Sequence, residues 1–461
     1  MRHNEKVEQE LKIPKMVIKK LNFNSLMTIL KAEIKSFPDN RIGKNKMYSM
    51  EDIVLSAFSV FLTQNPSFLS HQARFQEAHK INNASTIIGV KEIASHQQIN
   101  KILDTVHPKY LDNIYRKIYH ILYLYEIIQQ FLVMGKYLLI PADGTGHFSS
   151  HKIHCENCTI KKHKDGTVTY FHTVLTPVIT HPTLNMVLPL PPEFMLPQDG
   201  QKKQDSEMKA FYRWLEKHAS MLKEWGVEII FLLDALYAKQ PVIEKILKND
   251  FHYIIVSKIG SNKTLYEQIS LLESSNSIKK IQESREEGIR KIKTITKYYS
   301  YDNGLSIRRE NSLPVNWCQL KETDSQEKRK FRIDFITDLP ITEKSVSWIS
   351  ESGRLRWTVE NGNNNILKTK GYHFEHNFGH GKKYLSSLLT GMNILAFLFH
   401  TILELSDKKY YRAKKTLGVR VGFFNDIKAL TSYFIFNDWD DLINTLLIGF
   451  QKRFPPPLLK Q

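Results

Sequence analysis

Apolar residues follow a helical repeat in the first part of the chain. Over residues 1–130 they recur at helical spacing, most clearly between residues 110 and 132. Ser49 and Ser95 each precede an apolar run, and a serine hydroxyl at that position can accept a free backbone N–H of the first helical turn. Residues 1–130 are therefore predicted to be mainly helical.

Beyond residue 135 the apolar runs become short, as is typical of strands. The pattern predicts strands over residues 137–142, 168–180, 185–190, 227–233 and 251–257, and helices over residues 205–225 and 239–249. The first of these strands ends at Asp143, and a glycine-containing turn is predicted directly after it. Three strands followed by alternating helices and strands indicate an α/β fold with a mixed sheet and helices on its faces.

Residues 258–330 are polar and charged, and they lack a clear apolar period. Their tyrosine-containing alternating pieces argue against a disordered linker, so we predict an inserted, mainly β subdomain. The sheet then resumes with a strand over residues 331–337, and a helix is predicted from Thr342 through Glu360. The predicted regions are a helical part at 1–130, a first core part at 131–257, the β-rich insertion at 258–330, a second core part at 331–405 and a basic helical part at 406–461.

The most apolar stretch, residues 384–406, is long enough to span a bilayer. Polar and charged side chains interrupt it, so we prefer a buried helix of a large soluble domain, with membrane insertion as the alternative. We therefore expect no membrane partner. The charged first residues have no apolar signal core, and three cysteines exclude a disulfide scaffold, which favours the reducing cytoplasm.

The net charge of the chain indicates which class of partner it binds. Lys and Arg total 65 against 47 Asp and Glu, so the formal net charge is +18, and an excess of this size favours DNA, RNA or an anionic membrane surface. Short helices with a basic surplus suit a DNA-binding role for residues 1–130, but a bundle that only packs has equal weight. Residues 408–420 add six basic residues and no acid.

Three acids stand out by their position. Asp143 and Asp234 each end a predicted buried strand, and Glu360 lies in the helix that follows the resumed core. Carboxylates at the ends of adjacent strands would repel each other, and a divalent metal relieves that repulsion. Oxygen ligands select Mg²⁺ or Mn²⁺, and two such ions can assist the transfer of a phosphodiester. The acids and the basic surplus together point to phosphoryl transfer on nucleic acid.

The sequence around these acids has three recognisable motifs, which are Ala142-Asp-Gly-Thr-Gly146, Leu232-Leu-Asp-Ala-Leu-Tyr-Ala238 and Arg354-Leu-Arg-Trp-Thr-Val-Glu360. They resemble the motifs of DDE transposases of the bacterial insertion-sequence type, close to the IS-four-like superfamily. The third motif is similar to the core of the family pattern Tyr-x2-Arg-x3-Glu-x6-Lys. The resemblance covers roughly residues 90–405, and it is the combination of motifs that makes it specific.

The resemblance implies an RNase H-like catalytic core in which the insertion at 258–330 separates the second acid from the third. It implies that Asp143, Asp234 and Glu360 are catalytic and hold two Mg²⁺ or Mn²⁺ ions. The implied reaction is hydrolysis of DNA phosphodiesters followed by strand transfer from a 3′-OH. The implied partners are double-stranded DNA with terminal inverted repeats and target DNA, bound by a homodimer at the nucleoid of a bacterial cytoplasm.

Two positions depart from the family pattern. The tyrosine position is Gly353, and the lysine position is Leu367, with Lys368 one residue later. Lys368 is the candidate phosphate ligand if the irregular residues 361–365 absorb the shift, because one residue turns a helical side chain by about 100°. Arg356 keeps its register as a second phosphate ligand, and the alternative for it is a salt bridge with Glu360 at i+4.

A second group of candidate residues lies outside the acid motifs. Cys155 and Cys158 have the spacing of metal ligands and could hold Zn²⁺ with two nearby histidines, drawn from His151, His154, His163 and His172. The alternative is a hairpin with buried thiols. Asp205 and Glu207 could support the metal site, while the simpler interpretation is that acids, including Glu193, complement the dipole of the next helix.

The remaining aromatic and histidine candidates have simple structural interpretations. Core packing is the default for Trp317, although some related enzymes stack an insertion aromatic on a flipped base. His373, His376 and His380 could contact DNA or order a loop. Two further functions stay open: a structure-selective DNA nuclease of the same fold, and a non-catalytic DNA-binding protein derived from a transposase.

Overall fold

The computed structural model describes six stretches of the chain, residues 21–43, 46–75, 82–196, 205–287, 293–323 and 329–453. The first twenty residues of the predicted DNA-binding part and residues 454–461 of the basic part lie outside the described residues. So do residues 288–292 and 324–328 of the predicted insertion.

Fourteen α-helices lie in the described residues. They are α1 (Phe23–Ile34), α2 (Met50–Leu62), α3 (Phe68–Phe75), α4 (His96–Leu103), α5 (Asp112–Leu124), α6 (Glu207–Glu224), α7 (Gln240–Leu247), α8 (Lys263–Ser274), α9 (Val346–Arg354), α10 (Asn365–Thr369), α11 (Leu385–Ser406), α12 (Lys408–Leu417), α13 (Arg420–Tyr433) and α14 (Trp439–Arg453). Ser49 and Ser95 cap α2 and α4 as predicted, each accepting a backbone N–H of the first turn.

Thirteen strands accompany them. They are β1 (Tyr137–Pro141), β2 (Gly144–Ser150), β3 (Thr159–Lys162), β4 (Val168–Leu175), β5 (Val178–Ile179), β6 (Leu188–Pro189), β7 (Glu193–Met195), β8 (Glu228–Leu233), β9 (His252–Ser257), β10 (Lys279–Glu287), β11 (Lys293–Ser306), β12 (Pro314–Thr323) and β13 (Arg329–Thr337). Helices and strands together form a mixed α/β fold, as the apolar pattern predicted.

The largest sheet has seven strands in the order β1-β8-β9-β13-β12-β11-β10. β1, β8 and β9 run parallel, because α6 and α7 carry the chain across between them. β9 pairs antiparallel with β13, and β10 to β12 continue as an antiparallel meander. The sheet is therefore mixed. The strands of residues 258–330 extend this same sheet through β13, and their status as a separate insertion stays a prediction.

A smaller sheet lies beside the first strand. β4 pairs with β2, β3 and β7, all antiparallel, and β2 follows β1 after only Ala142 and Asp143. The predicted turn after Asp143 was wrong, because residues 144–146 are the first part of β2. The predicted strand over residues 168–180 is also divided, since Pro177 has no N–H to donate and separates β4 from β5.

Two predicted helices are shorter than expected. The repeat at residues 110–132 forms α5 and a 3₁₀ turn (Ile128–Phe131), separated at Glu126, whose φ of 57° cannot continue a helix. The helix predicted through Glu360 ends at Arg354, and a π-helical turn (Val359–Asn364) follows. Residues 361–364 lie in this turn, and the low α-helix propensity of asparagine and glycine agrees with their departure from α-helical geometry.

α11 is the helix, among the described residues, whose length and apolar composition would allow it to cross a membrane. Within its most apolar window, 83% of the residues are buried inside the protein. It packs against α2 of the helical part, and Phe399 makes an edge contact with Phe58 there. The burial agrees with the preferred interpretation of a core helix, and the absence of a membrane partner stays a prediction.

Candidate active site

The first two acids occupy equivalent positions on neighbouring strands. β1 and β8 are parallel, and their last paired residues are Pro141 and Leu232. Asp143 lies two residues after Pro141, and Asp234 lies two residues after Leu232, so the two acids occupy equivalent positions. Both strands are almost completely buried, and the carboxylates are the first polar side chains after them. The parallel pairing thus brings both acids to the carboxyl edge of the sheet, as the sequence predicted.

Each strand end is fixed by local hydrogen bonds. The Ala142 N–H donates to the Leu232 carbonyl at 3.3 Å and continues the ladder to the site. Asp234 begins a 3₁₀ turn (Ala235–Tyr237), and its Oδ1 accepts the Leu236 N–H at 2.8 Å. One oxygen of Asp234 is thereby oriented by the backbone.

The electrostatics around Asp143 show which charges surround it. Burial raises the pKa of its carboxyl to about 7, and the negative charges of Glu207, Glu360 and Asp234 act in the same direction. The positive charge of Arg356 opposes them. All three predicted catalytic acids therefore belong to one electrostatic cluster, in which Glu207 is a fourth carboxylate.

Glu207 enters this cluster from the first turn of α6. Its carboxylate accepts the Gly144 N–H and, at 2.8 Å through Oε1, the hydroxyl of Tyr237. Burial raises the pKa of Glu207, and the charge of Asp234 adds to this. Burial also raises the pKa of the Tyr237 hydroxyl, beside the charges of Glu207, Asp234 and Asp143. The carboxylate of Glu207 is thus fixed against the first motif by two donors.

The contact between Gly144 and Glu207 explains the glycine in the first motif. A Cβ atom on Gly144 would lie 2.5 Å from Oε2 of Glu207, which is far closer than atoms approach in folded proteins. A side chain at this position would therefore displace the carboxylate. Gly146, two residues along the same strand, has room for a Cβ, since the nearest atom is the His172 carbonyl oxygen at 3.9 Å.

Glu360 projects from the π-helical turn. The Asn365 N–H donates to the Glu360 carbonyl five residues back, and this wider turn holds one more residue than an α-helical turn. One residue is also the offset between the family lysine position, Leu367, and Lys368. Leu367 is fully buried in an apolar cluster, and Lys368 forms an ion pair with Glu375 at 2.8 Å.

The segment with Glu360 is tied to the first strand by Thr176. The Thr176 N–H donates to the Asp143 carbonyl at 3.0 Å. Its hydroxyl donates to Oδ1 of Asn364 at 2.8 Å and lies 3.2 Å from the same Asp143 carbonyl. Asn364 also accepts a hydrogen bond from the Asn363 amide. No sequence pattern marks Thr176, because only the fold brings the residue after β4 between the two acidic segments.

Arg356 is the cation of the cluster. Its side chain is 9% exposed, and Nη1 donates to Oε1 of Glu360 at 2.7 Å, which is the i+4 pair that the sequence suggested as an alternative. Its Nε is buried and has no hydrogen-bond partner among the described residues. The guanidinium therefore has one N–H donor without a partner among the described residues. Its single positive charge can neutralise only one of the four carboxylates.

Asp205 belongs to a different network from Glu207. Its carboxylate pairs with Arg213 through two hydrogen bonds of 3.0 and 2.6 Å. Arg213 also donates to Oε1 of Glu193 at 2.9 Å, and Lys217 donates to Oε2 at 2.7 Å. These pairs attach α6 to β7. The carboxylates of Asp205 and Glu193 are thus used to hold the helix that presents Glu207.

The two cysteines lie in the loop between β2 and β3, away from the acids. Their sulfur atoms are 3.8 Å apart, and Nε2 of His172 is 3.4 Å from each of them. The fourth member of the group is His380, whose Nε2 is 3.6 Å from the Cys158 sulfur. The sequence suggests only DNA contact or loop order for His380, since nothing in its sequence position relates it to the cysteines.

The other hairpin histidines have different partners. His151 lies 2.9 Å from the Val168 carbonyl, and His163 lies 2.8 Å from the Thr169 hydroxyl. His154 stacks on Tyr170. Trp317 is completely buried, with its indole N–H donating to Asp334, in agreement with core packing as its default role.

The neighbouring sheet leaves no space for a side chain at Gly353, which occupies the tyrosine position of the family pattern. A Cβ there would lie 2.6 Å from the Phe335 ring. Phe335 belongs to β13 and is fully buried, so α9 packs on the sheet at a distance that only a glycine permits. The tyrosine of the family pattern therefore has no room in this packing.

The cluster can bind a cation and lies within reach of solvent. Asp143, Glu207, Asp234 and Glu360 are all partly exposed, and one guanidinium leaves their combined charge negative. Carboxylate oxygens are the ligands that Mg²⁺ and Mn²⁺ prefer, and a divalent ion would relieve the repulsion that adds to the effect of burial on the pKa of Asp143. The donor set therefore fits the expected metal.

Comparison with known proteins adds an independent line of evidence. Residues 180–397 match the family described as Transposase DDE domain, a span that includes Asp234 and Glu360 and begins after Asp143. No curated protein matches the chain. Transposases of this family generally use divalent metal ions and act on DNA. The match supports the assignment of this chain as a DDE transposase.

Proposed function

We propose that this protein is the transposase of a bacterial insertion sequence, with an RNase H-like core in which Asp143, Asp234 and Glu360 form the catalytic triad. The observation that carries the proposal is the equivalent placement of Asp143 and Asp234 in the paired strands β1 and β8, with the charge of Glu360 acting on Asp143. Because the family match begins after Asp143, the first acid is supported by this register and by its electrostatic neighbours.

The three acids would hold two Mg²⁺ or Mn²⁺ ions. Such ions, when bound, activate the attacking oxygen and stabilise the leaving oxygen of a phosphodiester. The chain's own contribution is to orient the carboxylates before the metals arrive. The Leu236 N–H fixes Asp234, and Arg356 holds one oxygen of Glu360. Glu207, fixed by Gly144 and Tyr237, adds negative charge next to Asp143.

Arg356 and Lys368 would bind the DNA phosphates next to the acids. The planar guanidinium of Arg356 suits a phosphate, and its positive charge already acts on Asp143. Lys368 is paired with Glu375, which is largely exposed. An exposed ion pair contributes only about 0–1 kcal/mol, so a phosphate can replace Glu375 at little cost. The extra residue of the π-helical turn offsets the shift of the lysine relative to the family pattern.

The proposed substrate is double-stranded DNA that ends in terminal inverted repeats, followed by target DNA. The net charge of +18 supports binding to phosphates, and α12 with the start of α13 carries a run of six basic residues. The helical region of residues 1–130 would bind the repeats, and two ends held together would require at least a homodimer on DNA. Hydrolysis would free a 3′-OH, which would then attack the target phosphodiester.

The test compares Asp143→Asn with the wild-type chain on DNA carrying the element's terminal repeats. The amide keeps the shape of the side chain but removes the charge, so we expect no strand cleavage in Mg²⁺ or Mn²⁺ and unchanged DNA affinity. Asp250→Asn is the matched control, since its largely exposed carboxylate pairs with Lys223 and contacts none of the four acids. Cleavage at the wild-type rate by Asp143→Asn would refute the assignment of the first acid.

Strand transfer is measured separately with pre-cut ends that carry a free 3′-OH. Joining of these ends to a target plasmid supports a transposase. Cleavage without any joining would indicate a nuclease of the same fold. Metal-independent binding with neither cleavage nor joining would indicate a DNA-binding protein derived from a transposase.

A further inference from the structure

Four side chains with sulfur or nitrogen ligand atoms converge beside the smaller sheet. They come from three separate places in the chain: Cys155 and Cys158 from the loop after β2, His172 from β4, and His380 from the segment before α11. Their ligand atoms all lie within 4.8 Å of one another. Three of the residues are buried, and Cys155 is partly exposed.

The distances match those of a tetrahedral metal site. Zn²⁺ binds sulfur at about 2.3 Å and imidazole nitrogen at about 2.0–2.1 Å, so tetrahedral ligands lie roughly 3.8 Å apart for two sulfurs and roughly 3.6 Å apart for sulfur and nitrogen. The observed separation is 3.8 Å between the two sulfurs. His172 lies 3.4 Å from both sulfurs, and His380 lies 3.6 Å from Cys158.

The side chains that form the group are held by the surrounding fold. The Cys158 N–H donates to the Cys155 carbonyl, and the Cys155 N–H donates to the Cys158 sulfur, which forms the tight turn of a Cys-x2-Cys pair. His172 lies within β4. The segment after His380 is fixed by Asp104, whose carboxylate accepts the backbone N–H groups of residues 382–385.

The group also lacks a simpler explanation as a set of satisfied buried side chains. Nδ1 of His172 and Nδ1 of His380 are buried without a hydrogen-bond partner among the described residues. The polar contacts of both rings are therefore to the thiol groups, which are weak hydrogen-bonding partners. A metal ion bound at the two Nε2 atoms would replace these weak contacts with ligand bonds, and it would not change the surroundings of the buried Nδ1 atoms.

We propose that Cys155, Cys158, His172 and His380 bind one structural Zn²⁺ ion, distinct from the carboxylate site. The two thiolates and two imidazoles complete four-coordinate ligation, and they leave no open position for a substrate. The ion would join the β2–β3 hairpin to the segment that leads into α11, where Asn157 already donates to the Lys383 carbonyl at 2.7 Å. Because β2 begins at Gly144, the ion would also stabilise the strand that follows Asp143.

The experiment measures the metal content of the purified full chain by inductively coupled plasma mass spectrometry, in the absence of DNA. We expect about one zinc per chain, and loss of it in Cys158→Ser and in His380→Asn. Cys318→Ser and His154→Asn are matched controls that should keep the zinc, because Cys318 lies in β12 and His154 stacks on Tyr170. His380→Asn is the critical variant, since only the folded structure associates this residue with the cysteines.

A second measurement covers the case in which these variants do not fold. The wild-type chain refolded with Co²⁺ should show the visible absorption of a tetrahedral cobalt site with thiolate charge-transfer bands, and one equivalent of Zn²⁺ should abolish it. A chelator should lower the melting temperature of the zinc-loaded chain. Three results would each overturn the proposal. They are the absence of both zinc and tetrahedral cobalt, a Cys155–Cys158 disulfide in freshly reduced protein, and full zinc content in His380→Asn. Zinc content does not depend on DNA cleavage, so the two proposals can fail separately.

Discussion

The hydroxyl of Thr176 lies 2.8 Å from Oδ1 of Asn364, and this contact joins the segment of the first acid to that of the third. The same threonine donates its backbone N–H to the Asp143 carbonyl. Asn364 ends the π-helical turn that contains Glu360. Thr176 therefore links the backbone of Asp143 to the turn that contains Glu360, although the two are remote in sequence.

Replacing Thr176 with valine keeps its shape and removes the hydroxyl. We expect Thr176→Val to lose about 1 kcal/mol of unfolding free energy in urea titration, because a buried hydrogen bond is lost. We also expect slower strand cleavage with unchanged DNA affinity, since the Glu360 segment loses its attachment. Thr180→Val is the control: the Thr180 hydroxyl is buried without a partner among the described residues, so its removal should cost nothing. Equal behaviour of the two variants would contradict this role of Thr176.

Gly144→Ala tests the contact between the first motif and Glu207. The added Cβ would meet Oε2 of Glu207 at 2.5 Å, so the carboxylate must move away from the Gly144 N–H and from Tyr237. We expect strong loss of cleavage, measured with the terminal-repeat substrate. Gly146→Ala lies on the same strand with its nearest neighbour at 3.9 Å and should remain close to wild type. An active Gly144→Ala variant would show that the position of Glu207 does not matter for the reaction.

Gly353→Tyr restores the residue of the family pattern and should destabilise this protein. Any side chain there collides with the buried ring of Phe335, and overpacking of this kind costs about 1–3 kcal/mol. Urea unfolding should therefore give a lower midpoint for Gly353→Tyr. Phe335→Ala alone should cost about 3–5 kcal/mol, because it removes a fully buried ring. In that background Gly353→Tyr should cost less than in the wild type, because the ring that it meets is absent. An equal cost in both backgrounds would place the strain elsewhere.

The contact between His252 and Asp338, outside the acid cluster, should make the free energy of unfolding depend on pH. Nδ1 of His252 lies 2.6 Å from Oδ2 of Asp338, and this hydrogen bond raises the pKa of the histidine. A raised pKa means that the folded chain binds the proton more tightly than the unfolded chain. The extra stability is therefore complete below about pH 6.5, the ordinary histidine value, and is lost as the pH rises through the folded-state pKa.

The measurement compares wild type with Asp338→Asn by urea unfolding at acidic and alkaline pH. We expect the wild type to exceed the variant by more at pH 6 than at pH 9. Charges elsewhere on the protein cancel in this comparison, since both chains carry them. A difference that stays constant across this range would show that the ion pair does not contribute.

The sequence by itself determined the mixed α/β class, the positions of β1, β8 and β9, and the acids that follow two of them. These features depend on local patterns, since an apolar run of strand length and the first polar residue after it can be found without knowing what the strand pairs with. The buried character of α11 was also evident from its composition. The motif around Glu360 predicted the third acid from the family pattern.

Only the tertiary structure decided how distant residues meet. The parallel register of β1 and β8 brings Asp143 level with Asp234. Thr176, directly after β4, lies between the two acidic segments, and the chain returns His380 to the cysteine pair. The interruption of the helix before Glu360 was also missed, because the π-helical turn is stabilised by contacts from other elements. Such contacts depend on loop closure and packing across long sequence separations, which a local pattern of apolar residues does not encode.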